Sequence, residues 1–182
     1  MKKALAKFTL YILGWKAINN IEQLGIKKFV VVGAPHTSNW DGVFAIASVL
    51  AWGLNFKFLI KKDLFFFPLG TLLKSLGGLP VDRKKSTSLT KQAASYFNQS
   101  DQLVIGITPE GTRSYNTKWK KGFYFIAEEA NVPIVLGYID YKNKLVVMDK
   151  VFERTGNVDE DLIAIKAYYK NCNPKHPEKF GI

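Results

Sequence analysis

Segments of strand length alternate with longer helical segments through most of this chain, and this alternation restricts the folds that it can adopt. Lys28–Gly33 (KFVVVG) is the clearest strand, because it is apolar after its first residue and ends at a glycine. Further strands are expected at residues 56–60, 79–81, 102–107, 132–139 and 144–151, and helices at residues 40–53, 86–98, 122–131 and 159–169, with a short helix and turn within residues 63–75. This order predicts an α/β fold with a mostly parallel mixed sheet flanked by helices.

The chain has the length of a single domain. Its 182 residues suffice for one hydrophobic core, and no linker or internal repeat divides them. We expect one domain over residues 1–182. It comprises an N-terminal amphipathic helix over residues 1–20, an α/β core over residues 28–151, and a C-terminal helix and tail over residues 152–182.

The chain is strongly basic. It has 26 lysine and arginine residues against 15 aspartate and glutamate residues, which gives a net charge of +11. A surface of this charge attracts nucleic acid, phosphorylated metabolites, an acidic carrier protein or an anionic membrane, and composition does not choose among these partners.

Cys172 is the only cysteine of the sequence, and no Cys/His cluster has zinc spacing. Neither an internal disulfide nor a bound metal is therefore expected.

The N-terminal residues 1–20 combine four lysines with several aromatic and aliphatic residues. The lysines interrupt the apolar run that a signal peptide requires. The longest uncharged run of the chain, residues 42–56, is shorter than the roughly 20 residues of a spanning helix. Residues 1–20 therefore suit either a helix at the membrane interface or a helix packed on its own domain, and the pattern leaves both open.

A histidine and an aspartate flank the expected start of the first long helix. His36 and Asp41 lie in the segment APHTSNWD, which follows the strand Lys28–Gly33. Because ligands collect at the carboxyl ends of parallel strands, this segment is a candidate site. An aspartate that orients a histidine and stabilises its protonated form makes the histidine a general base. The structural alternative is a histidine that caps the helix, with Asp41 favouring the positive end of the helix.

A second polar segment, TPEGTRS, follows a later strand. Gly111 permits close backbone approach, Thr112 supplies a hydroxyl, and Arg113 can bind a phosphate through paired hydrogen bonds. Glu110 is expected either to orient Arg113 or to bind a substrate hydroxyl. Arg83 adds a cation after a neighbouring strand. The alternative for this segment is a tight loop that a Glu–Arg salt bridge stabilises.

Four segments together resemble the sequence blocks of the lysophosphatidic acid acyltransferase family, the 1-acyl-sn-glycerol-3-phosphate acyltransferases. The first is a His and an Asp separated by four residues, and the second is a Gly-led strand that ends in Arg. The third is Pro-Glu-Gly-Thr-Arg-Ser and the fourth Val-Pro-Ile. The matching positions are residues 36–41, 77–83, 109–114 and 132–135. Their order and spacing agree over roughly residues 30–140, which makes the combination highly specific.

The resemblance implies a glycerol-3-phosphate acyltransferase-like fold and an O-acyltransferase. Such an enzyme moves a fatty acyl group from acyl-CoA or acyl carrier protein to a lysophospholipid, here 1-acyl-sn-glycerol 3-phosphate to give phosphatidic acid, and binds no cofactor. His36 is then the general base of the catalytic core, and Asp41 orients it. The implied substrate-binding residues are Arg83, Glu110, Gly111, Thr112 and Arg113.

The sequence departs from the family pattern at three places. Pro35 stands where Asn is frequent, Pro80 and Val81 stand where an aromatic or Phe/Ile pair is common, and Thr108 stands where Phe is frequent. All lie beside the expected acceptor site, so they bear more on the identity of the acceptor than on the reaction. A lyso-aminolipid or glycerol 3-phosphate is therefore an open alternative acceptor.

Three consecutive aromatic residues, Phe65, Phe66 and Phe67, form a dense apolar cluster behind two lysines. We expect them to contact the acyl chain or a membrane. The alternative is that they belong to the ordinary core, and for Phe66 an inward position is favoured.

The expected partners are an anionic membrane surface, the lysophospholipid and, as a donor, acyl carrier protein, but not nucleic acid. The expected location is cytoplasmic, peripheral on the inner face of the cytoplasmic membrane.

Two other classes compete with an acyltransferase. A hydrolase that uses Ser38 with His36 is disfavoured, because no G-x-S-x-G segment is present. A non-enzymatic basic adaptor would account for the charge, but not for a His/Asp pair beside an arginine-containing loop.

Overall fold

The computed structural model describes residues 2–82 and 86–182, without the side chains of residues 86–88. The strands are β1 Lys16–Asn19, β2 Lys28–Gly33, β3 Phe56–Lys61, β4 Gly78–Val81, β5 Leu103–Ile107, β6 Ile134–Asp140 and β7 Leu145–Phe152. The helices are α1 Lys2–Ile12, α2 Asn39–Trp52, α3 Leu69–Ser75, α4 Ser86–Asn98, α5 Gly122–Glu129 and α6 Val158–Tyr169. Short 3₁₀ turns occur at Glu22–Leu24, Lys62–Leu64 and Pro177–Lys179.

The strands of the described residues form one sheet in the order β1-β7-β6-β2-β5-β3-β4. Neighbouring strands are parallel except β6 and β7, which are antiparallel and joined by a short turn. The predicted α/β fold with a mostly parallel mixed sheet is therefore confirmed. Because β2, β3, β4, β5 and β6 run in the same direction, their carboxyl ends lie at one edge of the sheet, where ligands of such folds bind.

Helices cover both faces of the sheet, and the side chains of β2 divide between them. Val30 and Val32 are buried in a core with residues of α4, α5 and α6. Phe29 points to the other face, where Trp52 of α2 packs against the same cluster. This alternation follows from the two-residue period of a strand and gives the central strand two buried faces.

The N-terminal segment differs from the expected single helix over residues 1–20. The helix α1 ends at Ile12, and Gly14 then adopts a left-handed conformation with φ of 72°. The chain continues as β1, which pairs in parallel with β7. Trp15, between the two elements, is buried and stacks on Phe44 of α2 with ring centroids 3.9 Å apart. The glycine conformation, which other residues rarely adopt, ends the helix.

One face of helix α1 packs against α2, and the other face is exposed to solvent. Ala6 and Leu10 are buried in a cluster with α2, whereas Leu5, Phe8 and Tyr11 on the other face are 67%, 59% and 80% exposed. Within the residues that the structure describes, no helix is long and apolar enough to cross a membrane.

Candidate active site

A capping box at the start of α2 places the side chain of Asp41 beside His36. Ser38 is the N-cap residue, and its Oγ accepts a hydrogen bond from the Trp40 backbone N–H at 3.2 Å. In return, Asp41 Oδ2 accepts from the Ser38 backbone N–H at 2.8 Å. The sequence Ser-Asn-Trp-Asp therefore fixes the carboxylate in the turn that carries His36, by the reciprocal bonding of a capping box.

The Asp41 carboxylate is almost fully buried and orients the imidazole of His36. Its Oδ2 accepts from the Thr37 backbone N–H at 2.7 Å and lies 3.2 Å from His36 Nδ1. Because an ionised carboxylate only accepts hydrogen bonds, we assign the imidazole proton to Nδ1. This leaves Nε2 as the ring nitrogen available to a substrate, and the His36 side chain is 23% exposed.

The environment of Asp41 keeps this carboxyl group ionised. Burial alone would raise the pKa of Asp41. The hydrogen bonds from His36, Tyr141, Ser38 and Thr37 lower the pKa by more than burial raises it, so the pKa lies below the ordinary 3.8. A negative charge beside Nδ1 stabilises the imidazolium that forms when Nε2 takes up a proton.

Tyr141 is a neighbour of this pair that sequence reasoning missed. It lies in the turn after β6, and its hydroxyl donates to Asp41 Oδ1 at 2.6 Å. Desolvation and the bond to Asp41 raise the pKa of Tyr141, so the hydroxyl remains a donor. The one feature of the sequence that points to a site role for Tyr141 is its position directly after a strand. This feature becomes informative once β6 is known to lie beside β2 and parallel to it, because both strands then end at the same edge of the sheet.

Glu110 joins the second predicted segment to the first. Its Oε1 accepts from the His36 backbone N–H at 2.7 Å, and the side chain is 1% exposed. Its Oε2 is buried, with no hydrogen-bond partner among the described residues. Burial is the main cause that raises the pKa of Glu110 from 4.5 to about 7. Glu110 thus holds the backbone of the His36 turn, and its contact with a substrate stays a prediction.

The loop after β5 presents an arginine to solvent. Gly111 has φ of 67°, and a Cβ atom there would lie 2.9 Å from Lys120 Cε, so the turn favours glycine. Thr112 Oγ1 accepts from the Ser114 backbone N–H at 3.2 Å. Arg113 is exposed, and in the described part of the chain it forms no salt bridge with Glu110. The alternative of a Glu–Arg pair that only stabilises the loop is therefore wrong.

The aromatic cluster after β3 lies at the same edge of the sheet. Phe66 is 58% exposed and Phe67 is 88% exposed, while Phe65 is half-buried. The inward position favoured for Phe66 is wrong. The backbone of Gly70 packs so closely on that of Phe65 that a Cβ atom at residue 70 would lie 2.8 Å from the Phe65 carbonyl carbon. Contact of the cluster with an acyl chain or membrane stays a prediction.

The C-terminal tail reaches the His36 turn, which the sequence did not predict. The backbone N–H of His176 donates to Thr37 Oγ1 at 3.3 Å. The ammonium group of Lys175 lies 5.5 Å from the ring centroid of Trp40, at the start of α2. The tail therefore borders the site on one side.

The structure thus brings His36, Asp41 and Glu110 into one hydrogen-bonded group. Gly111, Thr112 and Arg113 belong to the loop that carries Glu110. Arg83 lies outside the described residues. Among the residues described, no group of three His, Cys, Asp or Glu side chains could hold a metal ion. Among the described residues the oriented imidazole forms no hydrogen bond through Nε2, so it can deprotonate a hydroxyl, while the arginine of the loop after β5 can bind an anionic group.

Comparisons with known proteins identify the family of the chain. The family model described as Acyltransferase matches residues 16–138. A chloroplastic 1-acyl-sn-glycerol-3-phosphate acyltransferase of Brassica napus is 30% identical over 55% of this chain and 30% of its own length. This chain thus spans less than a third of that relative.

The fold also matches a solved structure. The crystal structure of the 1-acyl-sn-glycerophosphate acyltransferase PlsC from Thermotoga maritima aligns with a TM-score of 0.61, over 91% of this chain and 76% of that chain. At 18% identity this likeness shows a shared fold, which confirms the fold that the sequence resemblance implied.

Proposed function

The chain belongs to the acyltransferase family, and from this membership we propose that it transfers a fatty acyl group from a thioester donor to the free hydroxyl of a lysophospholipid. The donor is acyl-CoA or acyl carrier protein, and the general base is His36. The proposed acceptor is 1-acyl-sn-glycerol 3-phosphate, which gives phosphatidic acid. The name of the Brassica napus relative supports this acceptor.

The observation that carries the proposal is the pairing of His36 with a buried, ionised Asp41. The 3.2 Å contact at Nδ1 leaves Nε2 for the acceptor hydroxyl. An alcohol is a weak nucleophile at neutral pH, so removal of its proton during attack accelerates the reaction by about 10²–10⁴-fold. The charge of Asp41 stabilises the imidazolium at that moment.

The reaction proceeds in one transfer without an acyl-enzyme. The acceptor oxygen attacks the thioester carbonyl carbon while His36 Nε2 takes the hydroxyl proton. The tetrahedral intermediate then collapses, the carbon–sulfur bond breaks, and the imidazolium returns its proton to the departing thiolate. The products are an ester and a free thiol, and His36 is again neutral.

The acceptor phosphate has a cationic partner on the loop after β5. Arg113 is exposed and lies three residues after Glu110, which contacts the His36 backbone, and this supports the binding of the acceptor phosphate on the same loop. Guanidinium and phosphate match in geometry and form paired, charge-assisted hydrogen bonds. Arg83 is proposed as a second cation from the family resemblance.

We also propose that the protein binds an anionic membrane peripherally. Helices α1 and α2 lie side by side on one face of the sheet, and both expose apolar side chains. Phe8 of α1 is 59% exposed, and Trp40 and Val43 of α2 are each 50% exposed. The start of α2 carries the candidate site, so docking of this face brings the site to the bilayer that holds the lipid substrate.

The test is acyl transfer by the purified chain and two variants. Labelled acyl thioester, mixed with 1-acyl-sn-glycerol 3-phosphate in vesicles, should give labelled diacyl product. His36→Ala should lower kcat by at least about 10²-fold, and Asp41→Asn should lose most activity because the imidazole loses its orienting anion. His176→Ala is the matched control and should retain most activity. Near-parental kcat in folded His36→Ala would remove His36 as the base.

A panel of acceptors separates the alternatives in the same assay. Product formed only with a lyso-aminolipid or with glycerol 3-phosphate would retain the chemistry and change the acceptor. Release of free fatty acid without an ester product would indicate a hydrolase. Binding to vesicles without turnover would favour a basic adaptor.

A further inference from the structure

We propose that Tyr141 is a positioning residue that holds Asp41 in the orientation required to direct His36. This inference rests on the proposed function, in which His36 is the base. Tyr141 lies beyond residues 16–138, the range that matches the family. It is therefore a part of the site that the family model does not describe.

The two oxygens of Asp41 have separate partners. Oδ2 faces His36 Nδ1 and accepts from the backbone N–H groups of Thr37 and Ser38. Oδ1 accepts from the Tyr141 hydroxyl at 2.6 Å, a short charge-assisted bond. A carboxylate held at both oxygens cannot rotate about its final torsion, so Oδ2 remains turned toward the imidazole.

Tyr141 is itself held from three directions. Its ring meets Trp15 edge-on with centroids 5.1 Å apart, and Phe44 of α2 at 6.1 Å. Its backbone N–H donates to the Asn173 carbonyl at 2.9 Å. The neighbouring Asp140 accepts from the side-chain amide of Asn173 at 2.8 Å, which ties the turn to the tail. A side chain fixed in this way can orient its partner.

The hydroxyl also acts on His36 through Asp41. A donor at Oδ1 fixes the plane of the carboxylate, so its loss changes the contact between Oδ2 and the imidazole. Within residues 2–82 and 86–182, Asp41 contacts the imidazole of His36 and Glu110 contacts its backbone, and His176 contacts the same turn through its backbone. Loss of the Tyr141 hydroxyl should therefore change the NMR signals of the His36 imidazole, which loss of a hydroxyl elsewhere would not do.

The experiment compares Tyr141→Phe with Tyr138→Phe in the full chain. Tyr138 lies on β6 and packs against Tyr168 with ring centroids 6.2 Å apart, so its variant loses a hydroxyl without removing the donor to Asp41. The imidazole signals of the parent and of each variant are compared by NMR at one pH. The chain has two histidines, so His36→Ala assigns them. Thermal unfolding of each variant verifies that it is folded.

We expect the imidazole signals of His36 to shift in Tyr141→Phe and to remain unchanged in Tyr138→Phe. In the transfer assay, kcat of Tyr141→Phe should fall about tenfold, with the KM of the acceptor within about twofold of the parent. Unchanged His36 signals together with unchanged kcat would overturn the proposal. If the parent chain transfers no acyl group, the proposed function fails, while the NMR comparison still decides the role of Tyr141.

Discussion

At the scale of single residues, Arg113 is the clearest candidate for substrate specificity. Arg113→Ala should raise the KM of the acceptor by about 10- to 100-fold with a smaller effect on kcat, because a charge-assisted bond to phosphate is lost. Lys118→Ala removes another exposed cation a few residues away and is the control. Separate measurement of KM for donor and acceptor is decisive, since an increase confined to the donor would assign Arg113 to the thioester instead.

The raised pKa of Glu110 predicts that the stability of the folded protein depends on pH. Its pKa is raised from 4.5 to about 7 in the folded protein, so the folded state binds the proton more tightly than the unfolded state. Stability should therefore fall as pH rises from 4.5 through 7, and the loss should reach roughly 3 kcal/mol above pH 7.

Glu110→Gln tests this dependence, because the amide oxygen can still accept from the His36 N–H. The variant should match the parent near pH 4.5 and be more stable above pH 7, as measured by urea unfolding across this range. Glu128→Gln changes an exposed glutamate and should follow the parent. Parallel pH profiles of Glu110→Gln and the parent would contradict the raised pKa.

Part of the site was predictable from residues alone and part was not. His36 and Asp41 stand five positions apart, and the capping box that places Asp41 beside His36 consists of four consecutive residues, Ser38 to Asp41. The bond between Tyr141 and Asp41 spans 100 positions. It depends on β6 lying beside β2, and no local pattern encodes the order of strands in a sheet.

At the scale of elements, most strands and helices lie within a few residues of their predicted positions, because apolar periodicity and glycine boundaries are local. The strand β1 was missed. It has four residues, begins with a lysine and alternates between exposed and half-buried positions. An edge strand this short, with polar residues in it, gives a weak periodic pattern in the sequence. Its extended conformation depends on its pairing with β7.

Helix α1 carries a prediction about membrane binding. The double substitution Phe8→Ser and Ile12→Ser should weaken binding to anionic vesicles at least tenfold, because two exposed apolar side chains are lost from the docking face. Co-sedimentation of the full chain measures this. Ile163→Ser on α6, an exposed residue on the opposite face of the sheet, is the matched control.

Substitution is the appropriate design, because removal of residues 1–20 would delete buried Leu10, Trp15 and the strand β1. Loss of binding by such a truncated chain would not distinguish a docking helix from an opened core. Equal binding by the parent and the α1 double variant would place the membrane contact elsewhere, for which Phe66 and Phe67 are the next candidates.

At the scale of the whole molecule, the net charge of +11 should govern how the protein meets a bilayer. Binding to vesicles that contain anionic lipid should weaken as salt rises from about 0.05 to 0.5 M, since the Debye length shortens from roughly 14 to 4 Å. A residual component from the apolar face should persist. Alkaline carbonate should release the protein, and retention after carbonate would indicate a spanning segment and require residues 42–56 to be reinterpreted.

The bond between Asp41 and Tyr141 also has a consequence for the order of events during synthesis. Asp41 leaves the ribosome 100 residues before the tyrosine that completes its hydrogen bonds. At about 5–20 residues per second this delay is roughly 5–20 s. During that interval α2 can form, but β2 waits for its neighbours β5 and β6, and the aspartate lacks one of its donors. The hydrogen bonds of Asp41 are therefore completed late in synthesis, after the segment that matches the family model has been made.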